Sequence, residues 1–550
     1  MSAFSMTVTA GDSTTSARYP RHSQRTLPPT ERFRIGRRWL LATLLLVAVP
    51  GASLPAQSDL RSEIRQYRVR HEAAIVRELA DFVALPNVAS NLDDIRTNAR
   101  HLVGMMERRG ISARMLELDG TPPAVYGELL TPGATRTVVF YAHYDGQPVD
   151  STRWASSPWR PVLRTGFPGP AAKELDLAGV NGRFDPEARL YARGVSDDKG
   201  PIVAVLHAID ALKASGTPLS VNLKFFFEGE EEAGSANLRP MLTKYRSLLA
   251  ADYWIFGDGP VHQTRAPQAV FGVRGVTGLD LTVYGPIRPL HSGHYGNWAP
   301  NANAMLVHLL ASMRDTEGRI TIAGFMDDVV PLSAAERDAL RSIPAVESQL
   351  IGEFRIGRTE GSPASLAEAI ALPALNMSGL SGGRAAGGGA NVIVPEAAAY
   401  LDFRLVPNQT PERIRALVER HIRAQGYHIV SETPDSATRR AHPRIVRLNW
   451  LSGYASARTA VDGPGSRALL TAVDEFLGAP IMRVPTLGGS LPLSVFVEVL
   501  GAQFAVLPIV NHDNNQHGEN ENLRLQNLWD GIELYAGVLA RMGKVWQQVP

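Results

Sequence analysis

Histidine and carboxylate side chains gather at the ends of short apolar runs in this chain, and a metal centre is the chemistry those residue types can supply. Residues 138–145 end in His143 and Asp145, and residues 193–200 carry Asp197 and Asp198. Residues 225–232 run from three phenylalanines into Glu228, Glu230, Glu231 and Glu232, and residues 253–258 end in Asp258. A fifth group, His517 with Asn520 and Glu521, lies far downstream. In an open α/β sheet, ligands bind beyond the carboxyl ends of the strands, so side chains delivered there converge on one crevice. Imidazole and carboxylates in this number suit two divalent metal ions, zinc first, with manganese or cobalt fitting the same ligand types. The pattern is that of a metallohydrolase.

Each group has a role its neighbours suggest. Asp145 follows His143 by two residues, and a metal-bound imidazole commonly donates its other N–H to a carboxylate that fixes its tautomer. Asp197 opens a helix whose apolar face is Ile202, Val205, Leu206 and Ile209, and a carboxylate at such a turn can present both oxygens to bridge two ions. Asp198 is the alternative ligand, or simply the helix N-cap. The four carboxylates of residues 228–232 repel one another unless cations intervene, or they form a solvated charged turn. Hydrolysis needs one carboxylate to bind metal and a neighbour to take a proton from water and return it to the leaving nitrogen.

At 550 residues the chain exceeds one ordinary core, so two domains are expected. Its net charge of +2 includes seven arginines within residues 1–57, and residues 58–550 are slightly acidic, which excludes a nucleic-acid footprint. Cysteine is absent, so disulfides, thiolate ligands and a lipid-modified N-terminal cysteine are excluded. Residues 32–56 place Arg32, Arg34, Arg37 and Arg38 before an apolar run and then small residues, the order of an export signal for a periplasmic or secreted protein without a stable membrane anchor. Alternating strand-like and helical segments from 58 to 274 predict an α/β catalytic domain, a mostly parallel sheet between helical layers. Residues 164–187 read as a loop. Residues 275–445 change character and predict a smaller inserted α+β domain, and residues 446–550 return to complete the catalytic layer.

The succession AHYDGQP, ARGVSDDKG, EGEEEAGS, GDG, HSGHYG, RLVPNQ, LGGSLP and HGENEN resembles the co-catalytic dizinc metallopeptidases. That family includes carnosinases, cytosolic non-specific dipeptidase, aminoacylase, acetylornithine deacetylase and glutamate carboxypeptidase. The resemblance covers residues 70 to 545, with the carnosinase-like dipeptidase branch nearest. It implies that His143, Asp197 and Asp258 hold one ion, that Asp197, Glu232 and His517 hold the other, that Glu231 is the general base and that Asp145 orients. It further implies a cis bond between Asp197 and Asp198 and an inserted domain that acts as lid and dimerisation surface. His291 then polarises the scissile carbonyl, usually across a homodimer. Arg404 holds the substrate's terminal carboxylate, and Asn391, Gly489 and Ser490 are further substrate contacts.

Two departures bear on specificity. Asn391 with Ala390 stands where near dipeptidases tend to have Lys-Thr, and Leu487 stands where they carry an acid. The expected activity is hydrolysis of a peptide bond beside a free carboxylate, in a small peptide, by water activated by Glu231. The alternatives are an N-acyl-amino-acid amidohydrolase, or a non-catalytic binding protein on the same fold.

Overall fold

A computed structural model describes residues 57–547 apart from 168–171, 362–364 and 385–388, so the export-signal segment lies outside the described residues. The helices Gln57–Val83 and Leu92–Glu107 come first, the second capped by Asn91, whose side chain accepts the Asp94 N–H. An eight-stranded mixed sheet comes next. Its centre is parallel, with Asn222–Glu228, Thr137–His143, Tyr253–Phe256 and Phe504–Val506 side by side. Antiparallel strands Ser112–Leu116 and Ala124–Leu129 extend one edge, and Gln268–Val270 with Met482–Val484 the other.

The central strands are apolar almost throughout because both faces are covered. Val138, Phe140 and Ala142 face the layer built from helices Lys199–Ala214, Pro464–Leu477 and Leu525–Trp546. Val139 and Tyr141 alternate to the opposite face, against helices Leu238–Lys244 and Leu493–Leu500. Phe225, Phe226 and Phe227 are fully buried, worth about 1.5–3 kcal/mol each relative to exposure. The expected three-layer α/β architecture is present, with antiparallel edges as the added detail.

A second, five-stranded sheet has the order Ala374–Ser381, Glu396–Leu405, Gly275–Tyr284, Ile445–Trp450, His428–Val430. The ten-residue antiparallel pairing of Gly275–Tyr284 with Glu396–Leu405 is its spine. Helices Ala302–Ala311 and Pro411–Ala424 bury one face, around Leu281, Leu401 and Phe403. Ile445–Trp450 belongs to this sheet, so it continues past the boundary at 445 that composition suggested. Between Ala302–Ala311 and Ala374–Ser381 three short helices, Ala334–Ser342, Glu347–Phe354 and Leu366–Ile370, turn back towards the main sheet. Ala334–Ser342 packs on Met482–Val484, and Glu336 pairs with Arg458 at 3.0 Å.

Within residues 164–187, expected as a loop, Arg164 and Glu174–Leu175 are in strands and the other described residues are turns and irregular chain. Val162–Arg164 and Glu174–Leu175 join Arg189–Tyr191 and Asn522–Arg524 in a four-stranded antiparallel sheet, tying that excursion to the end of the chain. Among the described residues no helix is long and apolar enough to cross a membrane.

Candidate metal centre

Three adjacent parallel strands deliver ligands to the same edge. His143 is the last residue of Thr137–His143, Glu232 lies four residues beyond Asn222–Glu228, and Asp258 two beyond Tyr253–Phe256. Asp197 arrives differently. It follows Arg189–Tyr191, a buried strand of the small antiparallel sheet rather than of the main one. His517 sits in the loop before Asn522–Arg524 with φ of 62°.

These five side chains converge as two triads, His143 with Asp197 and Asp258, and Asp197 with Glu232 and His517. Asp197 is shared: its Oδ1 lies 3.0 Å from His143 Nε2 and its Oδ2 3.1 Å from His517 Nε2. His517 Nε2 is also 3.2 Å from Glu232 Oε2, and Asp258 Oδ2 is 3.9 Å from His143 Nε2. All but His517 have side chains with little or no exposure, whereas His517 is 55% exposed at the mouth. The bond between Asp197 and Asp198 is cis. Asp198 is buried, makes no helix-capping hydrogen bond, and neither of its carboxylate oxygens has a partner.

The electrostatics ask for cations. Burial and the neighbouring Asp197 push Asp258 up to about 6 and Glu232 up to about 8. Burial likewise opposes ionisation of Asp197, but hydrogen bonds from His143 and His517 outweigh it and hold Asp197 below the usual range. Glu232 Oε2 accepts from Gln147 Nε2 at 2.8 Å, while its buried Oε1 has no partner. Paired acids of this kind, with an unsatisfied buried oxygen, fit divalent ions bound by oxygen and imidazole.

The acidic run is divided among separate tasks rather than forming a solvated turn. Glu228 accepts from Tyr141 Oη at 2.7 Å, and Glu230 takes Asn237 N at 2.6 Å and Nδ2 at 2.9 Å. Glu231 and Glu232 remain for the site. Asp145 accepts the Glu231 N–H at 3.1 Å and the Glu232 N–H at 3.0 Å, and its Oδ1 is 3.4 Å from His143 Nδ1. Burial, then the charges of Asp258, Glu232 and Asp145, drive the Glu231 carboxyl well above its ordinary value despite the opposing charge of His143. Its side chain accepts no hydrogen bond among the described residues.

The substrate residues expected from sequence form two further groups. Arg404 donates from Nη1 to Ser490 Oγ at 2.9 Å and from Nε to Asp402 at 3.1 Å. Gly489 is exposed, and a Cβ there would meet only Leu487 at 3.8 Å, so the protein itself does not demand glycine. His291 and Asn391 lie together on the surface, where Leu290–His291 pairs with Val392–Ile393 and Asn391 O accepts the Ser292 N–H. The His291 ring lies 4.5 Å from that of His294, tilted by 38°, and no contact within the described residues joins it to the candidate ligands.

Sequence reasoning assigned no supporting role to several residues that hold the site. Glu521 is fully buried and accepts from Arg193 Nη1 at 2.7 Å and from the backbone N–H of Gly194, Ser196 and Asp197 at 2.9, 2.9 and 3.1 Å. Its place beside His517 in the HGENEN run was the available signal. Tyr454, which pairs with Val276 opposite Arg404, is raised by burial and by the charges of Glu231 and Asp258. Arg274 donates to Gly488 O at 3.1 Å and is lowered to about 10 by burial and the nearby Arg404. No motif marks either residue.

Residues 139–541 match the family described as Peptidase family M20/M25/M40. The human Beta-Ala-His dipeptidase is 26% identical over 92% of this chain and 98% of its own length. The Cys-Gly metallodipeptidase dug1 of Schizosaccharomyces pombe is 26% identical over 87% of this chain and 95% of its own. The crystal structure of Sso-CP2, an M20 family metallo-carboxypeptidase from Sulfolobus solfataricus, superposes with a TM-score of 0.70 at 26% identity, covering 86% of this chain and 99% of that one.

Proposed function

The chain belongs to peptidase family M20/M25/M40, and from that premise we propose that it is a metal-dependent dipeptidase acting on small peptides with a free C-terminal carboxylate. The observation that carries this reading is the pair of ligand triads sharing Asp197, with the Glu231 carboxyl beside them and without a hydrogen-bond partner among the described residues. The human and yeast relatives are named as dipeptidases, which supports peptides over acylated amino acids as substrates.

His143, Asp197 and Asp258 would hold one divalent ion, and Asp197, Glu232 and His517 a second, with zinc the best match to this donor set. Such ions lower the pKa of water and polarise a carbonyl oxygen. Glu231 takes the proton from the attacking water and returns it to the amide nitrogen as that bond breaks. Asp145 fixes the Glu231 backbone and faces the His143 ring, so base and ligand keep one geometry. Arg404, steadied by Asp402 and Ser490, presents its guanidinium to the substrate carboxylate, with Gly489 leaving room beside it. The residues of the second sheet supply the lid. His291 and Asn391 serve a neighbouring subunit's site in a homodimer, which the exposed position of His291 and the 80% exposed Trp298 nearby support. Residues 32–56 serve as the export signal, on the strength of their basic, apolar and small-residue order.

The test uses residues 58–550 loaded with zinc, metal content measured, against dipeptides and their N-acetyl-amino-acid counterparts by mass spectrometry. Turnover of free dipeptides that Glu231→Ala abolishes is the expected result. Preference for the acylated series, or no turnover of either with two ions bound, would overturn it.

A further inference from the structure

A cavity of about 590 Å³ opens beside the segment that follows Asp258, lined there by Pro260 and Val261, and lies within the range of small-molecule pockets of about 300–1,000 Å³. We propose that this cavity receives a bulky apolar side chain on the acyl side of the scissile bond. The inference rests on the dipeptidase reading and adds the substrate class.

The floor starts at the metal end. Pro260 and Val261 follow Asp258 by two and three residues, and Leu487 reaches to 3.8 Å from where a Cβ on Gly259 would stand. The roof is the helical return from the second sheet, through Leu340, Ile343, Val346, Leu366 and Ile370. Leu366 is 37% exposed and Leu340, Ile343 and Ile370 are half-buried, so apolar surface faces open space beside the site.

The polar groups in the lining are largely engaged with the protein. Gln268 Nε2 donates to Pro260 O at 2.9 Å, and the His262 ring meets Thr264 Oγ1 at 2.9 Å. Glu347 accepts the Leu366 N–H at 2.8 Å, and Ser365 Oγ accepts that of Glu368 at 3.4 Å. Arg341 pairs with Asp338, and both it and Glu368 are exposed at the rim. Gln263, Thr486 and His512 also line the cavity, and a leucine or phenylalanine lying against the wall of Leu340, Ile343, Leu366 and Ile370 would exchange water for apolar surface.

Position in the substrate is set by the two ends of the site. In this proposal a substrate whose carboxylate lies on Arg404, beside Ser490, and whose scissile carbonyl lies at the triads would extend its acyl portion towards Pro260 and Val261, the lining residues that follow Asp258.

The test measures kcat/KM of the zinc-loaded protein for X-Gly dipeptides with X as Ala, Leu, Phe, Asp and Lys, and for the reversed Gly-X series. Leu-Gly and Phe-Gly should exceed Ala-Gly by about tenfold or more, since each buried methylene is worth ~0.8 kcal/mol. Leu366→Asp and, separately, Leu487→Asp should bring that ratio towards one. Equal rates across X, a ratio unchanged in both variants, or selectivity confined to the Gly-X series would overturn the pocket while leaving dipeptidase activity standing. Absence of any hydrolysis would instead overturn the dipeptidase reading. In that case calorimetry of Phe-Gly and Ala-Gly with the zinc-loaded protein decides the pocket: tighter Phe-Gly binding that Leu366→Asp weakens supports it, and equal binding overturns it.

Discussion

The carboxylate of Asp145 holds the backbone N–H of Glu231 at 3.1 Å, and the same carboxylate faces the ring of His143 at 3.4 Å. One buried acid thus fixes both a ligand and the residue assigned as base. Asp145→Ala should lower metal affinity or kcat by about 10–100-fold, the usual cost of losing a group that orients a ligand. Glu231→Gln should lower kcat by about 10²–10⁴-fold with metal content unchanged. Metal analysis beside steady-state kinetics separates the two, and loss of metal in Glu231→Gln would contradict the role given to it.

Arg404 offers a planar fork, which lysine cannot reproduce. Arg404→Lys should raise KM for dipeptides and lower kcat/KM by roughly 10–100-fold, the equivalent of about 1.5–3 kcal/mol for a charged hydrogen bond. Ser490→Ala should act in the same direction more weakly. Peptides amidated at the C-terminus should be insensitive to both changes, and equal sensitivity would remove Arg404 from carboxylate recognition.

His291 is expected to act in the neighbouring subunit's site. His291→Ala and Glu231→Gln protein should each be nearly inactive alone, and mixing them under subunit exchange should restore part of the activity, because one site of the mixed dimer receives both intact groups. A mixture as inactive as its components, with exchange demonstrated, would confine His291 to its own chain.

Acid should destabilise the fold through groups remote from the ligands. Burial alone would raise Glu78 and Asp513, but hydrogen bonds from His207 and Arg109 to the first, and from Arg189 and Asn511 to the second, hold both below the ordinary carboxylate range. A depressed folded-state pKa contributes stability that is complete above the unfolded value, about 4, and is lost as pH falls through the folded one. Thermal scans from pH 6 to pH 2 should therefore show a falling Tm, less steeply in Asp513→Asn. An unchanged slope in that variant would exclude Asp513 from the effect.

Most of the central sheet could be read from the chain because strands covered on both faces must be apolar along their length, as residues 222–228 and 137–143 are. The ligands were legible for a related reason: a carboxylate or imidazole directly after such a strand has no cheap buried alternative. Asp197 stands between both ligand triads, as the sequence suggested, but its strand could not be placed in a particular sheet, since three-residue strands such as Arg189–Tyr191 leave no periodicity to detect. The two-residue strand Glu174–Leu175 within the loop 164–187 escaped notice for the same reason. Tyr454 and Arg274 escaped notice because their proximity to Arg404 comes from strand pairing across distant segments. Position in the sequence does not encode that.

Glu521 shows how much the centre depends on chain that arrives late. It accepts four hydrogen bonds around the Asp197 turn, and Arg193, its partner, is 2% exposed. Glu521→Ala should cost about 3–5 kcal/mol in chemical denaturation, the price of a buried guanidinium left without its anion. A loss under 1 kcal/mol would show that the turn stands without it.

Both His517 and Glu521 lie in the last 34 residues of the sequence. At a synthesis rate of about 5–20 residues per second, the segments bearing His143, Glu232 and Asp258 are made many seconds before His517 and Glu521. Until then the Asp197 turn lacks the acid that gathers its amides, and the growing polypeptide carries half a binding site. On the two-ion proposal, capture of the second ion therefore waits on residues 517–521, made long after the rest of the ligand set.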